Sequence, residues 1–98
     1  MEKNKLAIKP SNRVDIAHVA RILKVCGHPV RLKLLCFIEG SEPCVSDLWH
    51  CVEEPQPVVS QHLAVLKKEG IVASRVEGNR RLYSVTDPWV KDLVHRLC

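Results

Sequence analysis

The chain has 98 residues, 46% of them hydrophobic, with 15 Lys and Arg against 11 Asp and Glu, a net charge of +4, and five cysteines. That length makes one small domain with a thin core, and the lack of a long apolar run argues against a signal peptide or membrane span, so a cytosolic protein is expected. The modest basic balance permits a nucleic-acid partner without requiring one, while an odd thiol count in the cytosol disfavours a static disulfide framework.

Residues 1–10 are charged and unpatterned, which predicts a flexible segment ahead of a single domain over 11–98. Ser11 and Asn12 are candidate caps for a first helix, in which Ile16, Val19, Ala20 and Leu23 recur at i, i+3, i+4 and i+7. Val14, Ala17 and Val25 widen that surface beyond what so small a core can absorb, which points to a subunit interface and a homodimer. Gly27-His28-Pro29 breaks this helix, and Pro29 opens a second through Val30, Leu34, Leu35 and Ile38 to Gly40.

A third helix is predicted from Cys44, with Val45, Leu48, Trp49 and Val52 on one side and Glu42 and Asp47 near its positive end. The short connection Glu53-Glu54-Pro55 leads to a fourth helix, in which Pro57 suits the first turn and Gly70 follows the end. Val59, Leu63 and Leu66 take the core side of that helix, leaving Gln61, Val65 and Lys68 outward. Two helices joined in this way read as a helix-turn-helix. Ile71 to Val76 and Arg81 to Val85 are β-prone runs around Glu77-Gly78-Asn79-Arg80, which predicts a hairpin. Thr86-Asp87-Pro88 starts a last helix with Val90, Leu93, Val94 and Leu97 on one apolar face, expected to lie beside the first helix.

The predicted fold is therefore mainly α with a β-hairpin wing: a winged helix-turn-helix of five helices and a two-stranded hairpin. Residues 56–86 hold five cations against two carboxylates, so +3 of the chain's +4 lies on the helix and hairpin where DNA would run. An enzyme finds no support, since there is no glycine-rich phosphate loop, no His-Glu-x-x-His and no Cys-x-x-Cys.

The order of elements and several local words resemble the ArsR/SmtB family of winged-helix repressors. They are Gly27-His28-Pro29-Val30-Arg31-Leu32, Val45-Ser46-Asp47-Leu48, Gln56 to Leu63, Leu66 to Val72, and Glu77-Gly78 with Leu82-Tyr83-Ser84-Val85. The resemblance implies a homodimer that represses transcription from a two-fold operator in double-stranded DNA and leaves it when an inducer binds. It assigns Gln56, Ser60, Gln61, His62 and Lys68 to the DNA side of the fourth helix, and Arg75, Asn79, Arg80 and Arg81 to the wing. By periodicity His62 fits a partly buried side chain bonded to a neighbour as well as it fits a DNA contact. Where the family usually places glycine, an apolar residue and serine in the turn, this chain has Glu53, Glu54 and Pro55.

The inducer site is read from the cysteines, and three readings stay open. The first is a redox or reactive-sulfur thiol switch. It follows a family pattern pairing a second-helix cysteine, here Cys36, with one at the end of the last helix, here Cys98. The spacing before Cys98 is one residue shorter than in that pattern, a rotation of roughly 100° about the helix. The second is arsenic(III) or a soft metal ion held by Cys44 and Cys51, although the family's Cys-Val-Cys-Asp word stands here as Cys44-Val45-Ser46-Asp47. The third is that thiols such as Cys26 are small apolar fillers. A zinc site on the last helix is disfavoured, because Asp87-Pro88-Trp89 lacks the expected histidine.

Overall fold

The computed structural model describes residues 15–41 and 43–98. The predicted caps Ser11 and Asn12, the flexible segment, Val14 and Glu42 lie outside them. The described elements are α1 (Ile16–Cys26), α2 (Pro29–Ser41), α3 (Val45–Val52), α4 (Gln56–Lys68), β1 (Val72–Glu77), β2 (Arg80–Val85) and α5 (Pro88–Leu97), the five helices and one hairpin expected.

Helix α2 is the centre. Leu34, Leu35 and Ile38 are fully buried, and α3, α4, α5 and β2 all pack on it. Each such side chain contributes about 1.5–3 kcal/mol relative to exposure, so this strip organises the domain. From α4 come Val59, Leu63 and Leu66, all buried. Val65, expected to point outward, is instead half-buried and packs on the same core, because the apolar arc of α4 is wider than a three-residue stripe.

Of the outer helices, α5 differs from expectation. Helix α1 enters the core through Ile22, Val25 and Cys26, whereas Ile16 and Leu23 of the predicted stripe are 58% and 59% exposed. Helix α5 packs principally on α2, not α1. Its Val90 and Val94 are buried, while Trp89 and Leu97 are about half exposed. Between the two helices runs an open apolar groove lined by Val19, Ile22, Leu23, Trp89 and Leu93.

Polar groups fix the joints. Asp15 caps α1 by accepting from the His18 N–H. Asp87 caps α5, its Oδ1 accepting from the Trp89 and Val90 amides, while its Oδ2 lies 2.9 Å from His18 Nε2 on α1. The end of α4 is closed by Gly70 N–H to Lys67 O and Ile71 N–H to Leu66 O. This Schellman arrangement needs the positive φ that Gly70 supplies. The hairpin pairs Val72 with Val85 through to Glu77 with Arg80. Its two-residue loop Gly78-Asn79 begins at a positive-φ glycine, as a type II′ turn requires.

The turn between α3 and α4 forms without a glycine. Glu53 caps α3 at φ 57°, the left-handed region, and is the only positive-φ non-glycine among the described residues. That conformation brings a Cβ against the backbone, which glycine avoids. Glu53→Gly is therefore expected to stabilise the domain by about 0.5–1 kcal/mol, read as a higher denaturation midpoint with an unchanged slope in urea.

Candidate nucleic-acid interface and cysteine sites

Helix α4 follows α3 directly, and its first turn is preset by Pro55 and Pro57. Gln56, Ser60, Gln61 and Lys68 are exposed along its outer side. On the hairpin, Arg75, Asn79, Arg80 and Arg81 are exposed as well. The cations are ordered by specific partners. Arg80 Nη2 lies 3.5 Å from Asp47 Oδ2 and 3.5 Å from Cys44 Sγ at the start of α3, which ties the wing to the helix-turn-helix. Arg81 donates to Ser74 Oγ at 3.2 Å, and Lys67 of α4 donates to the same oxygen at 3.0 Å. Lys67 thus joins α4 to the wing. The sequence offered only a Lys67-Lys68 pair, with nothing to show that β1 would bring Ser74 beneath the first of them.

His62 is half-buried. Its Nδ1 accepts from Arg31 Nε at 3.1 Å, and its ring lies 4.5 Å from that of His28. Arg31 also donates to the Val25 carbonyl of α1 at 2.9 Å, so one guanidinium bridges α1, α2 and α4. Burial, and then the positive fields of His28 and Arg31, push the His62 pKa below its usual value against an opposing pull from Glu54. The accepting Nδ1 places the proton of neutral His62 on Nε2.

The thiols divide sharply. Cys36 on α2 and Cys98 at the cap of α5 are joined in a disulfide, with Cα atoms 6.2 Å apart. Cys98 is the C-cap of α5, its N–H bonded to Val94 O at 2.9 Å, and from that position its sulfur reaches Cys36 despite the shorter spacing. Beside it, His95 Nε2 lies 2.7 Å from Glu39 Oε2, a contact between α5 and α2 that the sequence did not suggest. Cys26 is buried, and burial followed by the Asp87 charge raises its pKa, the signature of an inert filler. Cys44 sits at the start of α3, donating to Asp47 Oδ2 at 3.1 Å, and this contact holds the Asp47 carboxyl below its ordinary range. Cys51 is exposed. Seven residues of helix separate Cys44 from Cys51, about 10 Å along the axis. With the Cys36–Cys98 disulfide formed, no group of three or more His, Cys, Asp or Glu among the described residues is arranged to hold a metal ion.

Comparison with known proteins fits this architecture. The profile of the bacterial regulatory protein arsR family matches residues 28–74, from the start of α2 into β1. An uncharacterized HTH-type transcriptional regulator of Methanocaldococcus jannaschii is 40% identical over 76 residues, which cover 76% of this chain and 85% of that protein. The chain belongs to the ArsR family. Reduced HlyU from Vibrio cholerae superposes with a TM-score of 0.80 at 31% identity, over 85% of this chain and 87% of that one. A homodimeric winged helix-turn-helix DNA-binding domain from Mycobacterium bovis gives 0.74 at 27% identity, over 84% and 76% of the two chains. As a member of this family of DNA-binding transcriptional regulators the chain is not an enzyme, and no described helix is long and apolar enough to cross a membrane.

The position of His62 has a pH consequence. Because its folded pKa lies below the unfolded value of 6.5, the unfolded chain binds the proton more readily. Stability is then undiminished above pH 6.5 and falls as the pH drops from there through the folded pKa. His62→Gln, which keeps an acceptor for Arg31, is expected to show a shallower loss than the wild type between about pH 6.5 and 5, measured by urea denaturation across that range.

Proposed function

We propose that the protein is a homodimeric repressor that binds a two-fold operator and is released by oxidation or sulfur transfer at Cys36 and Cys98. The observation carrying this reading is the disulfide that links the second helix to the end of the last. In DNA binding, Gln56, Ser60 and Gln61 face base edges and Lys68 a phosphate. Neutral His62 offers Nε2–H, and Arg75, Asn79, Arg80 and Arg81 hold the flanking backbone. The exposed apolar side chains Ile16, Leu23, Trp89 and Leu97 around the α1/α5 groove support dimerisation there, as does the homodimeric M. bovis relative.

The chemistry is a two-electron oxidation. Two thiols form one S–S bond and give two electrons and two protons to the oxidant. A peroxide is reduced to water; a persulfide yields a thiol and hydrogen sulfide. The new bond fixes the end of α5 against α2. Since α5 borders the dimer groove, fixing it alters the relation of the two protomers. Two half-sites must lie about one DNA turn, roughly 34 Å, apart, so a small change at the seam is costly to operator affinity.

Two experiments test this. Oxidation of the wild type by a persulfide donor should weaken promoter binding by roughly tenfold or more, about 1.4 kcal/mol, with full recovery on reduction and no response in Cys36→Ser or Cys98→Ser. Release that persists in those variants would overturn the pairing, and release by arsenite dependent on Cys44 and Cys51 would replace it with the metalloid reading. Separately, Arg80→Ala should reduce the slope of log affinity against log salt by about 1 per protomer, hence about 2 per dimer. A salt-insensitive binding curve would count against DNA as the ligand of this face.

A further inference from the structure

The ends of α2 and α5 carry matching pairs of donor side chains. Cys36 and Glu39 are three residues apart on α2, and His95 and Cys98 three apart at the end of α5. Side chains at that spacing share a helix face, with Cβ atoms about 5–6 Å apart. The packing of α5 on α2 brings the two faces together. Cys36 meets Cys98 and Glu39 meets His95, and all four line one open cavity of about 200 Å³. While the sulfurs are bonded to each other they are not available as ligands. Reduction frees two thiols beside a carboxylate and an imidazole already in contact.

We infer that the reduced protein binds a zinc-like divalent cation here, through the Cys36 and Cys98 thiolates, the His95 imidazole and the Glu39 carboxylate. Two sulfurs, one nitrogen and one oxygen make a donor set of the kind zinc takes in tetrahedral sites. The geometry is within reach. Nitrogen and oxygen donors bound at about 2.0–2.1 Å in a tetrahedron stand about 3.3 Å apart, so His95 Nε2 and Glu39 Oε2, now 2.7 Å apart, need to separate only slightly. Two sulfurs at about 2.3 Å from the ion stand about 3.8 Å apart, a span that two cysteine arms cover from Cα atoms 6.2 Å apart.

The site is gated by redox state. A small-molecule thiol reductant supplies two electrons and two protons to the disulfide and becomes a disulfide itself. The cation then displaces the two thiol protons to water. An oxidant that takes two electrons from the thiolates reforms the S–S bond and ejects the cation. Metal and disulfide are thus alternative links between the same two helices. The inference shares its thiols with the proposed switch, but it needs only their juxtaposition and no change in DNA affinity.

The test is anaerobic titration of the reduced full-length protein with Co²⁺. One equivalent should give visible bands of tetrahedral cobalt and a thiolate charge-transfer band, with the affinity measured by chelator competition. Changes to outer-shell partners cost about 10–100-fold, so loss of a ligand in Cys36→Ser or Cys98→Ser should weaken binding by more than about 100-fold. His95→Gln and Glu39→Gln should each cost at least about tenfold. A Cys44→Ser/Cys51→Ser variant should bind like the wild type, and disulfide-oxidised protein should take up no cobalt. The absence of a tetrahedral spectrum in the reduced wild type overturns the inference, as does a spectrum that survives loss of Cys36 and Cys98 or requires Cys44 and Cys51. Cobalt uptake by the oxidised protein, or unchanged affinity in both His95→Gln and Glu39→Gln, overturns the four-donor site equally. Promoter binding by the same samples, reduced and oxidised without metal, reports on the switch independently.

Discussion

The burial of α2 is the constraint on which the rest of the molecule depends. Leu34, Leu35 and Ile38 leave water entirely, and the helices and strand that cover them are those that present the outer face of α4, the wing and the end of α5. A close-packed strip of this kind transmits displacement poorly by bending and well by rigid shift. The same helix carries side-chain contacts to other helices at both ends. Near its start, Arg31 reaches the last turn of α1 and the middle of α4. Near its finish, Cys36 and Glu39 meet Cys98 and His95 of α5. The disulfide therefore lies on the helix that also seats α4.

Around this strip, polar contacts set orientation. Asp87 is the clearest case: a buried carboxylate with two backbone amides on one oxygen and His18 on the other. Leaving such a group unsatisfied would be costly, so the start of α5 and the side of α1 are fixed to each other at this point, although the two helices share little apolar contact. Arg21 adds a bidentate pair to Glu69 at the end of α4. It is exposed, so its value is geometric more than energetic. Among the described residues no buried side-chain nitrogen or oxygen lacks a partner.

Much of this was legible in the residues. The helical spacing of Val59, Leu63 and Leu66 gave the buried side of α4, the prolines and glycines marked its limits, and Gly78-Asn79 between β-prone runs gave the hairpin. Periodicity said less about which partner a face would meet. Ile16 and Leu23 form an apolar stripe by spacing, and they lie away from the core of their own chain. A hydrophobic side chain is equally apolar whether its partner lies in its own subunit or elsewhere. Polar contacts across elements were mostly invisible: Lys67 with Ser74, Arg31 with His62, and Glu39 with His95 join residues 7, 31 and 56 positions apart. No local pattern encodes such pairs.

The sequence by itself determined the elements, their order and the family, because caps, turn glycines and short-range periodicity act within a few residues of their cause. It also placed the positive charge on α4 and the hairpin, since charge is carried by residue type. Tertiary structure decided what those elements face. It put α5 on α2, took His62 half out of solvent and let Glu53 hold a turn usually given to glycine. It also brought Cys98, at the end of a helix one residue short of the family spacing, back against Cys36. These outcomes depend on how a limited apolar surface is shared among helices distant in sequence, and that is settled only when the chain packs.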